Sequence, residues 1–242
     1  LPRPRSLTNH TPDNSFLAAL PPDVHSAVDG QLERLRLPGR TSIYQLGGRI
    51  DHVYFPIDAV ISVVSVMQDG AQIEAITVGR EGMTGAAALL DGTNVSTLLT
   101  WCQVAGESYR MPFDTFTGLA QRYPALKTLV QRFAAAQFDV MAQSIACNRL
   151  HYVTERCARW LLMTEDRVGR SEFQLTHESL AAMLGVRRAG VSIAAAGLQQ
   201  AGYIRYSRGR CSIVDRPGLV GVACECYEAI NDAYERRRFP AS

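Results

Sequence analysis

Between Leu184 and Arg210 the chain reads LGVRRAGVSIAAAGLQQAGYIRYSRGR, which sets Arg187, Arg188, Arg205, Arg208 and Arg210 among small residues and glycines. A guanidinium is a planar fork that matches the O6 and N7 acceptors of guanine, and it pairs as readily with a phosphate. Arginines in this pattern can read base edges or hold a nucleic-acid backbone. Covalent chemistry is excluded for the same stretch. Gly190 to Ala194, GVSIA, falls one residue short of the nucleophile-elbow pattern and opens a helix after another helix, so the strained strand-to-helix turn is missing.

Other reactive residue types are scattered. Cys224 and Cys226 in CECY offer two thiols, but at i, i+2 on an expected helix they point to different sides, and no His or Cys pair at zinc-finger spacing accompanies them. They read as structural. His52, His151 and His177 form no cluster, and His177, in the first turn of a helix, is placed to touch phosphate or water. GREGMTG spaces its glycines three apart inside a strand-rich segment, which excludes a Rossmann phosphate loop. The expectation is no catalytic residue, no metal site, no assigned cofactor, and a protein that is not an enzyme.

The elements that must position the arginines follow from periodicity. LTHESLAAMLGV opens with Thr176, placed to cap a helix, and ends at Gly185; RRAGVSIAAAGLQQAG is a second helix closed by Gly202. Two helices joined by a short glycine-containing turn form a helix-turn-helix. YIRYSRGRCSIV then makes a small hairpin, or wing. In such a unit the N-terminal residues of the second helix face base edges in the major groove. Arg187, Arg188, Ala189, Gly190 and Ser192 occupy that end, while Arg205, Ser207, Arg208 and Arg210 on the wing suit phosphate. Thr176 and His177 complete the candidate DNA-binding set.

Upstream, from Leu35 to Met111, short β-branched and aromatic runs alternate with Gly, Asp and Pro, which predicts a β-roll of about eight strands with a hairpin turning near Asp69-Gly70. After Pro112 the pattern becomes helical: FDTFTGLAQRY suggests a short helix, Pro124 starts another, and with no further proline or glycine before Gly169 one long helix or two successive helices fit. Leu126, Leu129, Phe133, Ala136, Val140, Gln143 and Cys147 recur at steps of three and four, as a coiled-coil dimer seam would. The fold class is therefore α+β. The divisions are a flexible N-terminus over 1–15, a roll over 16–122, a dimerisation helix over 123–150 and a winged helix-turn-helix domain over 151–242.

The 242 residues are 47% hydrophobic with a net charge of +2, so any basic footprint is local. Between Arg170 and Arg216 seven arginines face Glu172, Glu178 and Asp215. Six scattered cysteines, no charged-then-apolar leader and no apolar run of membrane-spanning length point to a cytoplasmic protein with free thiols and no membrane partner.

With β-roll, seam helix and winged helix-turn-helix in that order, the chain resembles the Crp/Fnr family of bacterial transcription regulators over roughly residues 16–216. Leu175, Thr176, Leu180, Ala181, Leu184, Gly185, Val191, Leu198 and Ile204 match the family's helix-turn-helix pattern. The resemblance implies a homodimer on a near-palindromic site in double-stranded DNA, RNA polymerase as a partner, and a roll that senses a signal. Family members commonly read DNA with an Arg-Glu pair and a further Arg; here Arg188 matches the first Arg, while Ala189 and Ile193 stand at the other two positions. The cyclic-nucleotide pocket also departs. Gly85 opens the relevant turn, Ala86 stands where Glu is expected, and Ser96-Thr97 where Arg-Ser is expected, so control by cyclic AMP is not implied. A different small ligand, haem, a redox thiol among Cys102, Cys147 and Cys157, or no effector at all stay open.

Overall fold

A computed structural model describes residues 13–238; residues 1–12, most of the segment expected to be flexible, lie outside the described residues. The fold starts earlier than the expected boundary at residue 16. Asn14 is fully buried, caps helix α1 (Ser15–Ala18), and donates from Nδ2 to the carbonyls of Pro56 and Gly82, both at 2.9 Å. Helix α2 (Pro22–Asp29) follows, with proline in the first turn where its missing N–H costs nothing.

The roll holds seven strands instead of about eight: β1 (Glu33–Leu37), β2 (Ser42–Tyr44), β3 (His52–Pro56), β4 (Val60–Val66), β5 (Gln72–Val78), β6 (Leu99–Val104) and β7 (Gly106–Pro112). They form two antiparallel sheets, ordered β1-β7-β3 and β2-β6-β4-β5. The β4–β5 hairpin closes where the sequence placed it, with the Met67 carbonyl accepting Gly70's amide and Gly70 at φ +83°, a left-handed value that glycine adopts freely. A short helix α3 (Ala86–Asp91) interrupts the strands between Gly85 and Gly92, both left-handed.

Beyond the roll come α4 (Phe113–Arg122), the long α5 (Pro124–Leu150) and α6 (Val153–Val168). Thus the glycine- and proline-free stretch is two successive helices, broken at His151-Tyr152. The C-terminal part comprises β8 (Glu172–Gln174), α7 (His177–Leu184), α8 (Arg188–Gln200), β9 (Ile204–Ser207), β10 (Arg210–Ile213), α9 (Arg216–Val222) and α10 (Cys226–Arg238). Strand β8 adds a third member to the wing sheet, in the order β8-β10-β9.

One apolar core runs through both halves. Its continuity depends on α6, whose buried side chains include Trp160, Leu161 and Leu162. Polar ties reinforce the junction: Arg167 pairs with Glu81 at 2.9 Å with both side chains largely buried, and Arg170 pairs with Asp58 at 2.6 Å. No single helix among the described residues is long and apolar enough to cross a membrane.

Candidate nucleic-acid interface

Thr176 Oγ1 accepts the Ser179 amide at 3.1 Å and caps α7, and Gly185, at φ +62°, ends it. Three residues later α8 leaves at 110° to α7, within the range of DNA-binding helix pairs. Leu180, Leu184, Val191, Ala194, Ala195 and Leu198 are buried between the two helices and α6. Burying that stripe leaves Arg187, Arg188, Ala189 and Ile193 exposed on α8, with Ile193 75% exposed. Arg187 sits at the N-cap and Arg188 opens the helix. Partial positive charge at a helix N-terminus adds to these guanidinium groups, so this end of α8 favours an anionic surface.

Two residues expected at the interface face inward instead. His177 Nδ1 and Ser192 Oγ lie 3.0 Å apart, and the imidazole packs on Tyr206 with ring centroids at 4.4 Å. Burial, and secondarily the charge of Arg188, hold His177 below the ordinary imidazole range. It is a spacer between α7, α8 and the wing. A Cβ at Gly190 would meet nothing within 4 Å, so nothing inside the chain requires glycine at that point of the helix.

The wing turn is the two-residue loop Arg208-Gly209, with φ +49° and +75°, between the paired Ser207 and Arg210. Both central residues are left-handed, the geometry that suits the twist of a tight hairpin. Arg205, Ser207, Arg208 and Arg210 are all exposed. Arg210 also pairs with Glu172 at 2.8 Å, which leaves Arg205 and Arg208 as the stronger phosphate candidates.

The expected dimer seam is buried within the chain itself. Leu126, Leu129, Phe133, Ala136, Val140 and Cys147 are each no more than 8% exposed, and Gln143 is half-buried with its amide on Cys226. Helix α10 packs along α5 and covers much of this face: Phe133 stacks on Tyr234 at 5.9 Å, and Arg237 pairs with Asp139 at 2.6 Å. The periodicity is real but marks the helix's own core face. Phe138 and Ile145, 68% and 72% exposed, stand on the opposite side with Ala142 between them.

In the roll, Gly85, Ala86, Ser96 and Thr97 do share a cavity of about 140 Å³ that Gln137 and Met141 of α5 also line. Ala86 and Ser96 are buried, and the Ser96 hydroxyl donates to the Leu98 carbonyl at 2.7 Å. Among the described lining residues Asp91 is the one carboxylate, and none is Lys or Arg. The cysteines suggested as sensors divide. Burial pushes Cys102 and Cys157 up to about 12, so both are poor thiolates at neutral pH. Cys147 instead meets His151, Cys224 and Cys226. Cys224 lies in the link before α10 and not on the helix, so the two CECY thiols can face the same way. The sequence signal for this group is the i, i+4 spacing of Cys147 and His151, which a search for zinc-finger spacings passes over.

Residues 155–221 match the family model for the Crp-like helix-turn-helix domain. No curated protein matches the chain. Among solved structures, FixK2 from Bradyrhizobium japonicum aligns with a TM-score of 0.67 at 14% identity, covering 80% of this chain and 98% of that one. A CRP-family transcriptional regulator from Thermus thermophilus gives 0.65 at 22% identity, covering 78% and 96%. The c-di-GMP-responsive regulator CLP of Xanthomonas campestris gives 0.63 at 14%, covering 79% and 98%. The chain thus carries a Crp-like helix-turn-helix domain within the fold of the Crp/Fnr transcription regulators.

Proposed function

We propose that the chain is a homodimeric, sequence-specific DNA-binding transcription regulator of the cytoplasm, without catalytic activity. The observation that carries this reading is the sorting of α8: its apolar stripe is buried, while Arg187, Arg188 and Ile193 project from the free face. Arg188 reads guanine at its O6 and N7 edge, Ile193 offers an apolar surface to a thymine methyl, and Arg205 and Arg208 hold phosphates. Two copies pair through the Phe138–Ile145 face of α5, an apolar stripe at helical spacing, and together they read a near-palindrome with half-sites one helical turn apart. RNA polymerase is the partner on such a promoter. Selection of bound duplexes from a random pool tests the proposal; recovery of no enriched near-palindrome would overturn it.

The roll cavity supports a second element of this reading. A cyclic phosphate that leaves water needs a charge-assisted partner, and the lining supplies a carboxylate instead. On this reading cyclic AMP therefore has no control over the chain, and the cavity suits a small, largely apolar effector.

A further inference from the structure

The end of α5 and the link between α9 and α10 bring four soft ligands together. Cys147 and His151 are four residues apart, so both project on one side of the helix end. Cys224 lies in the link, and Cys226 opens α10. One ligand atom from each of the four, three thiol sulfurs and an imidazole nitrogen, lies within 4.8 Å of all the others. Cys147 Sγ is 3.5 Å from Cys224 Sγ, and Cys226 Sγ is 3.5 Å from His151 Nδ1.

These separations suit the edges of a tetrahedron around a single ion. Zn–S bonds of about 2.3 Å and Zn–N bonds of about 2.0 Å place neighbouring ligands roughly 3.5–3.8 Å apart. An iron–sulfur cluster distributes its four ligands over at least two irons and needs a wider frame.

The surroundings are those of a metal site. His151 Nε2 is held by Glu225 at 3.2 Å, which fixes the ring with Nδ1 toward the sulfurs, the usual carboxylate–histidine support of a ligating imidazole. Gln143 donates its amide N–H to Cys226 Sγ at 3.0 Å. Arg159 and Arg156 of α6 lie close enough to act on the Cys147 sulfur through their charge. Arg156 and Arg159, 5% and 6% exposed, each keep an Nε without a partner. Three thiolates around a divalent ion carry a net charge of −1, and these buried guanidinium groups of α6 offset it.

We propose that Cys147, His151, Cys224 and Cys226 bind one zinc-class divalent ion in a closed tetrahedral site. Three thiol protons leave as it binds. The ion joins the end of α5, the break before α6 and the link that follows α9, and so fixes the joint between the long helix and the helix-turn-helix domain. Its effect on operator affinity rests on the DNA-binding reading above; the site itself does not.

The test uses the full chain purified under reducing conditions. Elemental analysis should find about one zinc per chain, and zinc-edge absorption should report three sulfurs and one nitrogen at about 2.3 and 2.0 Å. Cobalt(II) substitution should give the intense visible bands of a tetrahedral thiolate site. Glu225→Gln changes an exposed carboxylate and should leave the fold intact while lowering zinc affinity about 10- to 100-fold in chelator competition. A reduced chain that takes up no zinc with its thiols free, a Cys147–Cys224 disulfide in its place, or an octahedral cobalt spectrum would each overturn the site. If zinc binds but stripping it leaves operator affinity unchanged, the joint-fixing role fails. If zinc binds and neither form binds any duplex, the DNA-binding reading fails and the site stands.

Discussion

Trp160 of α6 donates its indole N–H to Glu74 of β5 at 3.1 Å, and Ser62 of β4 donates to the other carboxyl oxygen at 2.6 Å, so one buried carboxyl group ties the roll to the helix-turn-helix half. Burial raises Glu74 above the ordinary carboxylate range, opposed by the Ser62 and Trp160 hydrogen bonds and the charges of Arg167 and Arg159. An acid whose folded value is raised keeps its proton longer in the folded chain. Its stabilisation is complete below the unfolded value and is lost as pH climbs through the folded one. Glu74→Gln keeps the neutral shape and should flatten that part of the profile. Melting temperatures of both proteins between about pH 4 and 8 provide the check; parallel curves would show that Glu74 does not titrate at this junction.

Arg188 and Arg208 are expected to fail differently. Arg188→Ala should cost about 1–3 kcal/mol on the selected operator and relax preference at one base position per half-site. Arg208 sits at φ +49°, so asparagine, which tolerates that conformation, is the cleaner replacement. Arg208→Asn should weaken operator and scrambled duplex alike and lower the salt slope by about one per subunit. Titrations of both duplexes at several salt concentrations distinguish the two. Equal losses on both duplexes for Arg188→Ala, with altered base preference for Arg208→Asn, would reverse the assignment of helix and wing.

Gly190 separates stability from binding. An added methyl meets open space, and alanine is the better helix former by up to about 1 kcal/mol. Gly190→Ala should therefore raise the melting temperature while weakening operator binding, because the proposed docking of α8 sets the methyl against DNA. A variant that is more stable and binds as well as the parent would show that this turn of α8 keeps clear of the duplex.

Calorimetry with cyclic AMP should show no binding at micromolar concentrations. Ser96 has its hydroxyl committed to the Leu98 carbonyl, and Ala86 offers no acceptor for a ribose. Micromolar binding that also tightens operator affinity would contradict this account of the cavity.

The helix-turn-helix was legible because its signals are local: Thr176, Gly185, the apolar stripe of α8 and the Arg208-Gly209 turn each act within a few residues. Strand β8 was not, since three residues pairing with β10 across some forty positions leave little periodicity to read. The metal-ligand group escaped for the same reason, with Cys147 and Cys224 meeting across 77 positions. His177 was misplaced because its environment is set by Tyr206 on the wing, which no spacing within α7 announces. The seam shows the limit of periodicity itself: a heptad stripe says that a helix face is buried, and does not say by which chain.

That ambiguity can be resolved by experiment on α5. Phe133 is 6% exposed, stacked on Tyr234 and edge-on to Phe16 at 5.8 Å, so Phe133→Glu buries a charge in the chain's own core. Truncation of a core phenylalanine alone costs about 3–5 kcal/mol, and the added desolvated charge should abolish folding. Phe138→Glu and Ile145→Glu alter side chains that the protomer leaves in solvent. Each should keep the melting transition of the protomer and, if two copies pair through this face of α5 as proposed, place charges face to face and convert the proposed dimer to monomer. Operator affinity should then fall steeply, since each monomer holds one half-site alone. Sedimentation and circular dichroism on the three variants give the answer. If Phe138→Glu and Ile145→Glu remain dimeric with unchanged operator binding, the exposed face of α5 is not the contact between copies.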